Sequence, residues 1–231
     1  MIYGIKVHGT INATMQDFLI QKINMCEESK RVKAILLDVN SSGGSASASE
    51  MIYNRVREFS VRKPVFAIVT GMATSGAYMI ISPSKKIFSI KTAVIGSIGV
   101  YSIMPDISGL LEKIGVRIRQ ERMGKYKNAS NPFEAPDEEA EKSQKQIVKG
   151  IYEMFLNMVT ENRKLEKDQV DIIRESDIFL AERAVEIGLV DRVATFEESV
   201  SEIMKTLGEN RRPIFEIPKS PLFYRVLDRF V

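Results

Sequence analysis

Short apolar runs alternate with helical patterns through the first half of this 231-residue chain. The runs IYGIKV, KAILLDV and PVFAIVT are separated by helical patterns over about residues 13–29 and 46–59. A helix beginning near Ser75, the run KKIFSI, a helix near residues 105–113 and the run VRIRQE continue the alternation. Parallel neighbours in a sheet need a crossover connection, usually a helix, so this order predicts βαβ units. We therefore expect an α/β fold with a mostly parallel sheet and helices packed on it.

The second half of the chain is predominantly helical in pattern. A long amphipathic segment runs from about Asp137 to Lys164, and its acidic start is typical of a helix N-terminus. Its predicted buried face consists of apolar residues at helical spacing, namely Ile147, Ile151, Met154, Phe155 and Met158. Two shorter helices are expected next, with Gly188 ending the second before a last strand. An apolar tail with three prolines follows, which we expect to lie over the domain or between subunits.

The composition excludes several classes of function. Basic and acidic residues number 33 and 30, and no run of Lys or Arg is present, so nucleic acid is not an expected partner. The single cysteine, Cys26, excludes an internal disulfide framework and a multi-cysteine metal site, and we expect it to be packed. The single histidine, His8, excludes a metal site built on several histidines and is expected to be a partly exposed strand-end residue. A serine triad with a histidine base would have to use His8 itself.

A membrane-spanning segment is not expected within this chain. No uninterrupted apolar stretch reaches the roughly 18 residues that such a helix needs. The first residues, MIYGIKV, are typical of a strand rather than of a signal sequence. Either the protein is soluble or an N-terminal anchor is missing from this chain, and the sequence fits both interpretations.

Two glycine-rich turns follow predicted strands and carry candidate chemical groups. The first, DVNSSGG, covers residues 38–44, and its backbone amides could hold an anion or an oxyanion. The second, GMATSGAYMI, contains Ser75, which by its position alone is most simply a helix N-cap. Ser97 in TAVIGSIGV and Lys127 in MGKYKNASNPF are the candidate partners of that serine. A lysine can serve as a general base where desolvation lowers its pKa by several units and leaves the amine neutral.

These motifs together resemble the signal peptide peptidase A (protease IV) family of serine peptidases. TSGAYMI resembles the nucleophile segment of that family, NSSGG its oxyanion turn, IGSIGV its second serine segment and GKYKNASNPF its lysine loop. The order also agrees, since Ser97 and Lys127 follow Ser75 by 22 and 52 residues. AERAVEIGLVDRV resembles the family's Ala-x-x-x-Gly-Leu-Val-Asp segment, so the similarity extends from about residue 3 to residue 200.

The resemblance implies a role for each matching residue. Ser75 would be the nucleophile and Lys127 the general base, while Ser97 would hydrogen-bond and orient the lysine amine. The backbone N–H groups of Gly44 and Gly76 would form the oxyanion hole, where glycine allows the substrate carbonyl to come close.

Three positions depart from the family pattern or compete with it. Lys125 lies two residues from Lys127 and is the rival base, but it matches no fixed position of the family. Ser42 replaces the usual proline of the oxyanion turn. Met79 stands where a second tyrosine is common beside the nucleophile.

By the same resemblance we expect a crotonase- or Clp-protease-like fold and a single peptidase domain over residues 1–231. Its parts would be an α/β core over about 1–130, a helical part over about 136–207 and a tail over about 211–231. The implied activity is endopeptidase cleavage through an acyl-enzyme, with no metal or organic cofactor. The implied substrates are remnant signal peptides or other unfolded apolar segments. A homo-oligomeric ring and association with a membrane are implied as well.

Two other functions remain open from the sequence. A crotonase-type acyl-CoA enzyme would share the fold and an oxyanion hole. Such enzymes usually place carboxylates at the thioester, and neither glycine turn offers one at the nucleophile position. A non-catalytic scaffold of the same fold is the second alternative, although such a relative would have no reason to keep Ser75, Ser97 and Lys127 together.

Overall fold

A computed structural model describes residues 1–124, 127, 131–135 and 138–215 of the chain. These residues form an eight-stranded sheet with helices packed on both faces. The strands are β1 (Ile2–His8), β2 (Ala34–Ser41), β3 (Val65–Thr74), β4 (Lys86–Ser89), β5 (Val94–Gly96), β6 (Ile178–Leu180), β7 (Arg192–Val193) and β8 (Ile214–Phe215). The helices are α1 (Ala13–Glu28), α2 (Ala46–Arg62), α3 (Gly76–Ile81), α4 (Ser108–Lys113), α5 (Glu138–Arg163), α6 (Lys167–Ile173), α7 (Ala181–Glu186) and α8 (Phe196–Leu207).

The strand order β6-β5-β3-β2-β1-β8 places β3 near the centre of the sheet, and β4 pairs with both β3 and β7 beside this path. Every pair is parallel except that of β5 with the short β6. β3 changes partner along its length, because residues 66–69 pair with β4 and residues 72–74 pair with β5. The chain therefore leaves the sheet at Ser75, beside the ends of β2 and β5.

The central strands are buried on both faces, which is why they are continuous apolar runs in the sequence. Leu37 and Val39 of β2 belong to the larger core, to which α5 contributes Phe155. Leu36, which points to the opposite face of the same strand, belongs to a smaller core that includes Ile203 of α8. The sheet is thus packed between two helical layers.

Local signals set several helix ends. The side chain of Asn12 accepts a hydrogen bond from the Met15 N–H and caps α1. Thr195 and Glu198 form a capping box at the start of α8, and Gly208 ends that helix in the left-handed conformation.

Most of the predicted elements are confirmed, with bounds that shift by a few residues. The helices predicted over 13–29 and 46–59 and the long helix from Asp137 correspond to α1, α2 and α5. Gly188 follows α7 with a φ of +80°, as a helix-ending glycine should. Cys26 is fully buried, and His8 is the last residue of β1 with 40% of its side chain exposed, so both predictions are confirmed.

Other predictions are wrong or incomplete. Residues 116–121, predicted as the strand VRIRQE, form no strand, and all six are exposed, so the apolar side chains in this run do not pack on the core. Ile147 is 54% exposed, since the buried residues of α5 lie mainly in its second half, around Phe155. β5 and β6 were not predicted, because strands of three residues carry little periodicity. The tail begins extended in β8, and its residues 216–231 lie outside the described part of the chain.

A hydrogen-bonded anchor holds α3 against the C-terminal part of the chain. The hydroxyl of Tyr78 donates to the Leu189 carbonyl oxygen at 2.7 Å, and burial raises the pKa of Tyr78 well above its usual range. Arg163 of α5 donates to the Gly188 carbonyl oxygen and pairs with Asp191 at 3.0 Å. The other carboxylate oxygen of Asp191 accepts the N–H of Ile87, so α3, α5, β4 and the turn after α7 are connected.

Tyr78→Phe should lower the free energy of unfolding by about 1–3 kcal/mol, because the Leu189 carbonyl would lose its donor in a buried position. Urea unfolding followed by far-UV circular dichroism measures the change. Tyr101→Phe is the matched control, since Tyr101 is 83% exposed, and it should shift stability by less than about 0.5 kcal/mol. An unchanged unfolding midpoint for Tyr78→Phe would show that this anchor contributes nothing.

Candidate active site

Ser75 lies in the turn between β3 and α3, with φ and ψ of 54° and −129°. A non-glycine residue with this φ is strained, and such a strand-to-helix turn presents a side chain at the end of the sheet. The Ser75 N–H donates to the Gly96 carbonyl oxygen at 2.9 Å, which fixes the turn against β5. Ser75 occupies the N-cap position of α3, but its side chain makes no capping hydrogen bond. The simple N-cap interpretation is therefore wrong, and the hydroxyl is available for other partners.

The glycine turn after β2 lies directly against the start of α3. A Cβ added to Gly43 would be 2.9 Å from the Gly76 nitrogen, and one added to Gly76 would be 3.7 Å from the Gly44 nitrogen. Backbone hydrogen bonds to Ile11 fix this turn. The Ile11 N–H donates to the Gly43 carbonyl oxygen, and the Ile11 carbonyl oxygen accepts the Ser45 N–H. Within the described residues, the N–H groups of Gly44 and Gly76 have no hydrogen-bond acceptor. Two unpaired donors thus lie side by side next to Ser75.

Two helix N-termini reinforce these donors. α2 begins at Ala46, immediately after the glycine turn, and α3 begins at Gly76. The positive end of a helix dipole favours negative charge, so the α2 terminus adds to the attraction for an oxyanion. Gly76 also has no room for a side chain, since a Cβ there would lie 2.1 Å from the Ser49 hydroxyl oxygen.

Ser97 lines the same cavity as the glycine turn, and this cavity has a volume of about 390 Å³. Its N–H donates to the Asp177 carbonyl oxygen at 2.8 Å, and its φ is 50°. The cavity is lined by Ser75, Ser97 and Gly44, among others. The structure therefore brings together four of the five residues proposed from the sequence, counting Gly76 beside Ser75.

A second cavity of about 340 Å³ adjoins the first and shares Ser75 and Gly44 with it. Its wall is mainly apolar and is formed by Ala46, Met79, Val100, Ile151 and Phe155. The long helix α5 thus supplies the far side of a pocket beside Ser75. Such a pocket can accept an apolar side chain of the molecule that reaches the serine.

Lys127 is the one sequence-predicted residue that the structure does not bring to Ser75. It is exposed, its N–H donates to the Gly124 carbonyl oxygen, and the described residues that line the two cavities do not include it. The burial expected for a lysine base is therefore not found in the single chain, because the neighbouring residues 117–124 are exposed as well. Its rival Lys125 lies outside the described residues.

Sequence reasoning did not single out Thr10 and Ser176, which also line the cavity of Ser75 and Ser97. Thr10 follows β1 and Ser176 precedes β6, so both are far from the glycine turns in sequence. No motif marks either residue. Only the pairing of β1 with β2 and of β5 with β6 brings them to the cavity.

Two family models match the chain. A model described as peptidase family S49 matches residues 57–209, and a model described as Clp protease matches residues 3–95. A ClpP1 mutant of Listeria monocytogenes has a similar structure, with a TM-score of 0.58 at 16% identity over 85% of this chain and 94% of that chain. The structural match confirms the predicted Clp-protease-like fold.

Curated relatives match most of this chain. The protein MJ0651 of Methanocaldococcus jannaschii is 32% identical over 199 residues, which are 86% of this chain and 64% of that protein. Protease 4 of Haemophilus influenzae is 31% identical over 198 residues, which are 84% of this chain and 32% of that protein. This chain thus spans less than two thirds of the length of either relative. Among the residues that the structure describes, no helix is both long and apolar enough to cross a membrane.

Gly44→Ala should lower the free energy of unfolding by about 1–3 kcal/mol, because overpacking a tight site forces the backbone to shift. The added Cβ would lie 2.1 Å from the Ile11 carbonyl oxygen, which is itself hydrogen-bonded. Thermal and urea unfolding measure the loss. Gly150→Ala is the control. Outside the local backbone of α5, no atom lies within 4 Å of its added Cβ, and better helix propensity should stabilise α5 by up to about 1 kcal/mol. Equal stability of the two variants would contradict the close packing of Gly44 against Ile11.

Proposed function

This chain belongs to peptidase family S49, and on that premise we propose that it is a serine endopeptidase with Ser75 as its nucleophile. The observation that carries the proposal is the geometry at Ser75. The Ser75 hydroxyl makes no capping hydrogen bond to α3 and lies at a strained strand-to-helix turn. Beside it are the unpaired N–H groups of Gly44 and Gly76. Pre-positioned donors of this kind stabilise the oxyanion of acyl transfer, which is commonly the largest electrostatic contribution to catalysis.

In the proposed reaction, Ser75 is the nucleophile, Lys127 is the general base and the N–H groups of Gly44 and Gly76 are the oxyanion donors. The neutral amine of Lys127 takes the proton of Ser75 as the hydroxyl oxygen attacks the peptide carbonyl carbon. The resulting oxyanion accepts hydrogen bonds from the Gly44 and Gly76 N–H groups. The lysine then gives its proton to the departing amine, and the acyl-enzyme remains. Water then loses a proton to the same lysine as it attacks the ester carbonyl. The lysine returns that proton to the Ser75 oxygen as the ester bond breaks, which releases the acid product and restores the neutral amine.

We further propose that Lys127 reaches the Ser75 cavity of a neighbouring subunit. Exposure of Lys127 in the single chain supports this arrangement, as does its absence from the described lining of its own cavity. Between Ser97 and Lys127, the chain also exposes large apolar residues. The exposed fractions are 83% for Tyr101, 78% for Ile103 and 94% for Met123. A second subunit packed against this segment would cover the apolar surface and desolvate the lysine, which favours its neutral form. A homo-oligomeric ring is the closed form of such a head-to-tail contact.

The substrates in this proposal are remnant signal peptides or other unfolded apolar segments, and the protein acts in association with a membrane. The apolar pocket beside Ser75, walled by Met79, Val100 and Phe155, suits a small or apolar side chain next to the cleaved bond. An extended peptide would enter along the exposed segment that follows Ser97, where backbone hydrogen bonds supply affinity. The acyl-CoA alternative is less well supported, because the described residues lining the two cavities include no Asp or Glu.

Ser75→Ala and Lys127→Ala should each remove nearly all hydrolysis of an unfolded apolar peptide, because one lacks the nucleophile and the other the base. Wild-type protein should be labelled at Ser75 by a fluorophosphonate, and mass spectrometry locates the label. Activity should rise with pH as the lysine ammonium loses its proton, and it should stay high on the alkaline side. Lys127→Arg should be inactive, because a guanidinium is not deprotonated at these pH values.

His8→Gln is the control for these variants, since His8 pairs with Asp38 through its Nε2 at 3.2 Å and does not line the Ser75 cavity. It should leave the pH profile almost unchanged. A histidine base would instead give a limb near pH 6.5, and His8→Gln would then be inactive. Substantial activity of Lys127→Arg with an unshifted profile would reduce the lysine to a positive charge and overturn the mechanism.

Mixed assemblies test whether the lysine is supplied by a neighbour. Co-expressed Ser75→Ala and Lys127→Ala subunits should regain about a quarter of wild-type activity under random mixing, because some sites then combine an intact Ser75 with an intact Lys127. Differently tagged subunits, purified through both tags, confirm that the assembly is mixed. Replacing the Lys127→Ala partner by the Ser75→Ala/Lys127→Ala double variant removes every intact serine and should give no recovery. No recovery in the first mixture, or a stable and active monomer, would assign Lys127 to its own chain.

A further inference from the structure

Three serines with a positive φ surround a single cavity. Among the described non-glycine residues, positive φ occurs at Ser75 (54°), Ser97 (50°), Lys164 (53°) and Ser176 (58°). The three serines all line the cavity of about 390 Å³, whereas Lys164 does not. Each such backbone costs about 1–3 kcal/mol and persists only where the surrounding structure holds it. Ser75 and Ser97 have roles in the proposed peptidase, and Ser176 has none so far.

Ser176 contacts the turn that carries Ser97. Its hydroxyl donates to the Ile98 carbonyl oxygen at 2.9 Å, and a Cβ added to Gly99 would lie 2.4 Å from that hydroxyl oxygen. The next residue, Asp177, accepts the Ser97 N–H at 2.8 Å through its carbonyl oxygen. The segment 176–177 thus holds residues 97–99 through both a side chain and the backbone.

These contacts continue to Ser75. Gly96, which pairs with Ile178 of β6, accepts the Ser75 N–H through its carbonyl oxygen. Loss of the Ser176 hydroxyl would leave the Ile98 carbonyl without this donor. It would also leave a gap next to Gly99, which has no side chain to fill it. Ser97 lies next to that carbonyl in the chain, so its hydroxyl would be the first group in the cavity to lose its orientation.

We propose that Ser176 is a positioning residue of the proposed peptidase, fixing the 97–99 turn so that Ser97 can orient the lysine amine. The inference rests on the proposed function. The single proton of the Ser176 hydroxyl is donated to Ile98, which suits a fixed support rather than a second nucleophile. Positioning matters at this scale, since a displacement of about 1 Å can cost about 100-fold in rate.

Steady-state kinetics on Ser176→Ala provide the main test. We expect kcat to fall about 5- to 50-fold with KM within about twofold, because the change affects orientation of the base and not substrate binding. Labelling of Ser75 by a fluorophosphonate should slow in parallel. If Ser176 acts through Ser97, its effect should largely disappear in a Ser97→Ala background, so Ser97→Ala/Ser176→Ala should be within about threefold of Ser97→Ala.

Two glycine variants separate this role from backbone strain. Ser176→Gly relieves the positive φ but also removes the hydroxyl, so it should fold at least as stably as Ser176→Ala and show the same reduced kcat. Lys164→Gly relieves the same strain away from the cavity and should leave kcat unchanged. Wild-type kcat in Ser176→Ala, or a full multiplicative loss in the Ser97→Ala/Ser176→Ala variant, would overturn the inference. Retained activity of Ser75→Ala would instead refute the proposed function on which it rests.

Discussion

The end of β3 is the constraint on which the site depends. This strand pairs with β4 over residues 66–69 and with β5 over residues 72–74, so its last residues diverge from β4. At the point of divergence the chain must turn into α3, and Ser75 takes a φ of 54° to do so. The six residues of α3 are all buried, and their packing offsets the cost of that turn. Gly44 and Gly76 then approach closely because neither has a side chain.

Distant parts of the chain stabilise this turn without contacting Ser75. Tyr78 of α3 donates a hydrogen bond to the Leu189 carbonyl in the turn after α7. Arg163 of α5 binds the same turn through the Gly188 carbonyl and the Asp191 carboxylate. The motif around residues 181–193 is therefore a structural support, even though it was one of the features that indicated the family. The short strand β6 supports the site from the other side, since it pairs with β5 and is preceded by Ser176 and Asp177.

A single chain supplies only part of the proposed peptidase. The proposed nucleophile, the proposed oxyanion donors and the apolar pocket all lie on one sheet and the helices and turns next to it. The proposed base lies on an exposed segment whose large apolar side chains face solvent in the isolated chain. Both features have the same physical explanation if a neighbouring subunit covers this segment. In the proposed oligomer, a neighbouring subunit would cover these apolar side chains and bring Lys127 to Ser75.

The sequence by itself determined the α/β class and most helices and strands. Its resemblance to a known family identified Ser75, Ser97, Lys127, Gly44 and Gly76 as site candidates. Periodicity and glycine turns are local properties, so they are readable without the fold. The exposure of Ile147, the strands β5 and β6, and the lack of a strand at residues 116–121 were decided only by tertiary packing. The same holds for Ser176, which no motif marks. Its place beside Ser97 depends on an antiparallel pairing between strands more than 80 residues apart, and a pairing of that range leaves no local pattern in the sequence.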